Sequence, residues 1–144
     1  MENGNEVRPV TMPDDIGTDE LRARVDREWR DRWSHCLVAL VDGMEAGVVL
    51  FDFYQETSDG SIQQVFVLSP FRRRGIASAL IKYAEIELNR LGAVRIWLEP
   101  YALTRETGQP DATILRRWYS GLGFIGDDMS VRMTKGLSNN TRER

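Results

Sequence analysis

"VFVLSPFRRRGIASALIKYAE", residues 65–85, decides how the rest of the chain is read. It opens on an apolar run that Pro70 closes, because proline cannot continue a central ladder. Three arginines and Gly75 follow. Ala77, Leu80, Ile81, Ala84, Leu88 and Leu91 then recur on one face of a helix that Gly92 stops. The first N–H groups of such a helix lack partners within it, and its dipole adds partial positive charge there, so the turn is an anion site. Gly75 permits close approach to the backbone, Ala77 keeps the first turn narrow, and Arg72, Arg73 and Arg74 surround it with charge. The arrangement suits a pyrophosphate. It is not a Walker loop, which needs Gly-Lys-Ser/Thr, and it lacks the three glycines of a Rossmann fingerprint. A solvated basic turn or a nucleic-acid patch are the competing readings. A net charge of -3 over 144 residues argues against the latter.

Working outward, "AVRIWLEP" after the helix reads as a strand, so strand, helix and strand form a right-handed crossover with the two strands parallel. Before it, "CLVALV", "VVLFDFYQ" and "IQQVFVLS" read as three strands of an antiparallel meander, with turns at "DGMEAG" and "SDGS". A helix is expected over 17–33, where Leu21, Val25, Trp29 and Trp33 share one face and Thr18 is the N-cap. "VRPVTM" reads as a short first strand. "ATILRRWYSGL" reads as a short last helix capped by Asp111, with one or two strands after it. Residues 1–6 and 137–144 are expected to be disordered tails of a single domain spanning 1–144. The fold class is α/β (α+β).

Size and composition suit one soluble domain. No apolar run approaches a membrane span, and the first residues lack a signal-peptide pattern, so a cytoplasmic protein without a membrane partner is expected. Cys36 is the single cysteine and His35 the single histidine. Side by side in a strand they form neither a zinc site nor a catalytic pair, and no metal is expected.

"VFVLSPFRRRGIASALI" resembles the acetyl-CoA-binding signature of the GNAT N-acetyltransferases, Arg/Gln-x-x-Gly-x-Gly/Ala, with Arg72, Gly75 and Ala77 at its fixed positions. "YSGLGF", residues 119–124, resembles the family's second signature, Tyr-x-x-x-Gly-Phe. The resemblance covers roughly 36–133. It implies a mixed, mostly antiparallel central sheet flanked by helices, with a parallel strand pair (65–68 and 95–99) splayed at the acetyl-CoA site. The main chain of Phe66, Val67 and Leu68 should then pair with the pantetheine arm. The amides of Arg73, Arg74, Gly75, Ile76 and Ala77, with Ser78 in the same turn, should cradle the pyrophosphate. Tyr119 matches the tyrosine that protonates the departing thiolate; the plainer reading is a core tyrosine beside Trp118. The implied activity is acetyl transfer from acetyl-CoA to a primary amine by direct attack in a ternary complex, and a homodimer is compatible with it. The alternative is an acyl-CoA-binding or regulatory module of the same fold with reduced catalysis.

Two departures from the family pattern matter. Gln63 and Gln64 stand where many relatives carry a carboxylate that deprotonates the acceptor, and "PDATIL" lacks the asparagine common early in the last helix, for which Asp111 or Thr113 would substitute. Glu99, at the end of the second parallel strand, is one candidate base, and water-relayed deprotonation without a dedicated side chain is an equal alternative. Asp52 is a second one, expected to be either outward-facing or partnered. The loop 101–111 and the first helix should wall the acceptor site. Asp14, Asp15, Asp19, Glu20, Asp52 and Glu56 would favour a cationic amine.

Overall fold

Both faces of the middle strands are apolar, and the sheet is covered on both sides. The computed structural model describes residues 5–30, 33–100, 112–126 and 132–137. In chain order these form β1 (Asn5–Val10), α1 (Asp19–Glu28), β2 (Ser34–Val41), β3 (Met44–Tyr54), β4 (Asp59–Val67), α2 (Ile76–Leu91), β5 (Arg95–Leu98), α3 (Ala112–Gly121) and β6 (Met133–Gly136). The six strands lie in sequential order in one sheet. Every neighbouring pair is antiparallel except β4–β5, which is parallel across the α2 crossover. This is the mixed sheet that the resemblance implied.

Period-two alternation divides the core. Leu37 and Ala39 of β2 and Val49 and Phe51 of β3 pack under Leu80, Ile81, Ala84 and Leu88 of α2. Cys36, Val38, Val48, Leu50 and Phe66 face the other way, under Leu21 and Val25 of α1. Burial pushes the Cys36 thiol up to about 12, which suits a packing residue rather than a nucleophile. No described helix is long and apolar enough to cross a membrane.

Several elements differ from the sequence reading, each for a tertiary reason. β1 starts at Asn5, since Asn5 and Glu6 pair with Val41 and Leu40, where β2 offers a ladder to its last residue. Leu137 is likewise tied in, its N–H donating to the Val94 carbonyl at 3.0 Å. Met44 and the three residues after it belong to β3, because the hairpin needs only Asp42 and Gly43 for its turn. Among the described residues after α3 there is one strand, β6, plus a single bridge from Ile125 to Thr134, within the expected one or two.

The first helix is shorter than its aromatic spacing suggests. It stops at Glu28, Trp29 is already extended with ψ 127°, and the Arg30 N–H donates to Ser34 Oγ at 2.7 Å. Thr18 occupies the N-cap position but makes no side-chain cap bond. Gly60 is not a turn residue. It lies in β4 beneath α2, where an added Cβ would sit 2.6 Å from Leu88 Cδ1, so the missing side chain lets helix and sheet approach. The 101–111 loop and Asp111 lie outside the described residues.

Candidate active site

β4 and β5 pair only at Asp59 with Arg95, Gly60 with Ile96 and Ser61 with Trp97. Beyond Ser61, β4 runs on to Val67 while β5 ends at Leu98, and the parallel pair parts. The Leu68 N–H donates to the Ala46 carbonyl at 2.8 Å, so Leu68 turns its amide toward β3. By strand alternation Phe66 does the same, and the main-chain groups of Val65 and Val67 face the split. Of the expected set Phe66, Val67 and Leu68, only Val67 turns its main chain toward the split. Phe66 buries its ring on the α1 face under the Arg24 guanidinium, 3.5 Å from the ring centroid. The Leu68 carbonyl already accepts the Phe71 N–H at 2.9 Å. Val65 went unnamed, although counting one alternate residue back from Val67 would have found it.

The strand runs into a short 3-10 turn at Ser69–Phe71. Arg73 then takes φ 65° and Gly75 φ 76°, and α2 begins at Ile76 without any side-chain cap. The first helical bond runs from the Ala79 N–H to the Gly75 carbonyl at 3.0 Å. The N–H groups of Ile76, Ala77 and Ser78 therefore precede the helical ladder. A Cβ added at Gly75 would meet no atom within 4 Å, so open space lies in front of this turn.

That space belongs to a cavity of about 400 Å³. Val65, Val67 and Phe71 line it from the strand side, Arg72, Arg73, Gly75, Ile76, Ala77 and Ser78 from the turn, and Ile114, Leu115, Trp118 and Tyr119 from α3. Arg72 Nε also donates to the Val67 carbonyl at 2.9 Å, tying the turn to the strand end. Most of the expected cofactor contacts thus converge with Tyr119. Arg74 is not part of the lining; its guanidinium sits 5.7 Å over the Phe71 ring.

Tyr119 is fully buried, with its ring edge-on to Trp118 and Phe124 at 4.7 and 5.7 Å between centroids. Its hydroxyl has no hydrogen-bond partner among the described residues. Burial raises its pKa above the ordinary phenol value, so it stays protonated at neutral pH. A buried donor without an acceptor is uncommon in a native fold and calls for a reason.

The carboxylates are elsewhere. Glu99 lies outside the lining and pairs with Arg132 Nε at 3.6 Å. Asp52 is completely buried and partnered, accepting from Arg30 Nη2 at 2.7 Å, the Tyr54 hydroxyl at 2.9 Å and Ser34 Oγ at 3.3 Å. Arg30, Tyr54 and Ser34 carried no local signal that would have joined them to Asp52. Gln63 donates its amide to the Ser61 hydroxyl, and Gln64 is buried. Asp15 serves its own turn, accepting from the Thr11 and Met12 N–H groups at 3.1 and 3.3 Å.

Solved structures share this architecture. A PaiA N-acetyltransferase from Thermoplasma acidophilum, in complex with coenzyme A, is 14% identical and aligns over 92% of this chain and 99% of its own, with a TM-score of 0.64. The ribosomal-protein-S18-alanine N-acetyltransferase of Escherichia coli is 15% identical over 94% and 95%, with a TM-score of 0.67. An IAA acetyltransferase from Bacillus cereus is 13% identical over 92% and 99%, with a TM-score of 0.66. At such identities the likeness is one of fold. No curated protein sequence matches the chain significantly. Residues 5–124 match the model of the Acetyltransferase (GNAT) family, whose enzymes take their acyl group from acetyl-CoA, and the chain belongs to that family of acyltransferases.

Proposed function

We propose that the protein transfers an acetyl group from acetyl-CoA to a primary amine, by direct attack in a ternary complex. The observation that carries this reading is the meeting, on one cavity, of an uncapped helix start and an unpartnered tyrosine hydroxyl. The N–H groups of Ile76, Ala77 and Ser78, with Arg72 and Arg73 beside them, suit the diphosphate of coenzyme A. The main-chain groups of Val65 and Val67 suit the amides of its pantetheine arm, which would lie along β4 as a further strand. The Tyr119 hydroxyl then has the acceptor it lacks. Because burial raises its pKa, Tyr119 stabilises a developing thiolate as a hydrogen-bond donor and does not ionise beforehand. That interaction strengthens as charge grows on sulfur, and so favours the transition state over the bound substrate.

Holding the amine against the thioester carbonyl supplies much of the remaining acceleration. No carboxylate lines the cavity among the described residues, so the amine proton passes to water or to Glu99 at the end of β5. A second reading, a CoA-binding module without turnover, draws on the same fact together with Gln63 and Gln64. The names of the solved relatives span a ribosomal-protein alanine and IAA, so fold does not choose the acceptor. A screen of amines with acetyl-CoA, following release of the CoA thiol, decides between the readings. Transfer to any amine supports the enzyme. Tight acetyl-CoA binding with transfer to none supports the module.

A further inference from the structure

The Val67 carbonyl is already in use. Val67 stands opposite Gly47 in the β3–β4 ladder, but its main chain turns the other way, into the split, because the next residue, Leu68, gives its N–H to Ala46. Among the described residues no strand faces it there, since β5 leaves β4 at Ser61. A side chain from the anion turn meets the carbonyl instead: Arg72 Nε donates to it at 2.9 Å. The same guanidinium lies 5.3 Å from the centroid of the Phe66 ring. Phe66 belongs to the α1 face, whereas the cavity that Arg72 also lines lies on the side of Val65 and Val67, under α2. The side chain therefore crosses the open edge of β4 at the end nearest the turn.

This one bond commits two groups that the cofactor needs. A carbonyl at an open strand edge requires a donor, and Arg72 supplies it in the free protein. The pantetheine arm, laid along β4, needs that carbonyl and the space in front of it. The diphosphate, laid on the turn, needs the guanidinium. Exchange of partners is easy to make. The Arg72 main chain is held by its N–H bond to the Ser69 carbonyl at 3.3 Å, and the residue is exposed, so only its side chain has to rotate and no packed core has to part. The direction of the exchange follows from charge: a guanidinium bonds more strongly to phosphate oxygens than to a neutral carbonyl.

We propose that Arg72 is a latch on the open edge of β4 that a diphosphate releases, and that it makes the protein select its donor by that group: coenzyme A thioesters open the edge, whereas thioesters that end at pantetheine meet it closed. The proposal rests on the acetyl-transfer reading for the place of the arm. Its thermodynamic content is a coupling between two ends of one site. An anion that draws Arg72 onto the turn makes the arm bind more tightly, and the arm strengthens the anion by the same factor. A molecule that carries both ends gains this coupling within a single binding event, and neither fragment gains it alone.

The test uses the two ends as separate molecules. Pantetheine is titrated into the protein with and without saturating inorganic pyrophosphate, and the Val65 and Val67 amide signals are followed by NMR. Pyrophosphate should tighten pantetheine binding about fivefold, the scale of one hydrogen bond removed from competition. Arg72→Met keeps the stem of the side chain and removes the donor. It should bind pantetheine about fivefold tighter than the unmodified protein does, with nothing further gained from pyrophosphate. Arg73→Met takes the neighbouring charge from the cavity and leaves the bond to Val67 in place; it should weaken pyrophosphate and keep the coupling. Pyrophosphate that binds the unmodified protein without strengthening pantetheine would overturn the proposal, and that result needs no variant. Weaker pantetheine binding in Arg72→Met would overturn it too, making Arg72 a brace for the strand end. If pantetheine moves both amides equally in the two proteins, the latch falls and the site reading stands. If it moves neither amide in either protein, the arm lies elsewhere and the site reading falls with the latch.

Discussion

Two helices of this chain are approached by different turns. On the way into α1, Glu45 on β3 accepts the Gly17 N–H at 2.9 Å and the Thr18 N–H at 2.8 Å, the two amides that lead into the helix. Partial burial pulls the Glu45 pKa up, but hydrogen bonds from Thr18 and Gly17 outweigh it, and the carboxylate is held below its ordinary value. α2 opens from Gly75 at the N-cap with no side-chain cap bond. Instead the turn places two arginines, an open glycine and a cavity in front of the bare N–H groups. The fold evidently can bring a carboxylate from a distant strand to a helix start. The uncapped start of α2 is where our proposal puts the coenzyme A diphosphate, an anion from outside the chain.

The strongest way to break this contrast is to fill the open start. Gly75→Val puts a branched side chain where the anion would lie, at a φ that suits glycine. Loss of about two charge-assisted hydrogen bonds, at about 2 kcal/mol each, predicts roughly a thousandfold weaker acetyl-CoA binding by calorimetry, with the circular dichroism of the fold retained. Unchanged affinity in a folded variant would mean that the anion binds elsewhere.

Tyr119→Phe leaves the cradle intact and tests the other end of the cavity. Turnover should drop about a hundredfold in steady-state assays, within the range for a lost acid catalyst, while acetyl-CoA affinity changes little. Equal losses in both would make the hydroxyl a ground-state contact.

Glu45→Ala opens the closed start. It should lower stability by about 1 kcal/mol in urea melts, the usual scale of a lost cap, and leave acetyl-CoA affinity unaltered. Acid sharpens the same point with a smaller effect. Because the folded-state pKa of Glu45 is depressed, its contribution is fully present above the ordinary carboxylate value and disappears as pH falls through the folded value. The stability gap between the unmodified protein and Glu45→Ala should thus be open near pH 7 and close as acid takes the pH below the folded-state value. A gap that widens in acid would assign Glu45 another role.

The two helix starts also show what could be read from the sequence. The α2 start is local: strand, proline, arginines, glycine and apolar stripe lie within 21 consecutive residues, and each follows a short-range rule. The order of the nine elements was legible for the same reason. The α1 start depends on a glutamate 27 residues away, and no spacing rule connects the two. Nor could periodicity reveal that Trp29 leaves the helix, since the cause is a bond from Arg30 to Ser34 that exists only once β2 is in place. Gly60 was misread because a glycine beside an aspartate suggests a turn, whereas its reason is Leu88 on a helix that follows later. Asp52 illustrates the limit most plainly: its sequence neighbours left it either outward-facing or partnered, and only the fold buries it and names three partners.

The brief β4–β5 pairing has a consequence for how the molecule holds together. A strand edge left open at the rim of a sheet invites another chain to add to it, and proteins guard such edges. Here the open edge lies inside the sheet, flanked by β5 and β6, so a single extended arm can enter the slot but a foreign sheet cannot dock there. Whatever lies along Val65 and Val67 completes the ladder and becomes, in effect, a strand of the protein. The sheet from β1 to β4 and the β5–β6 pair meet through only three residue pairs, so they form a seam that opens more readily than the strands on either side. An arm bound as proposed would stitch that seam, and its occupancy would then set how firmly the two parts of the sheet cohere.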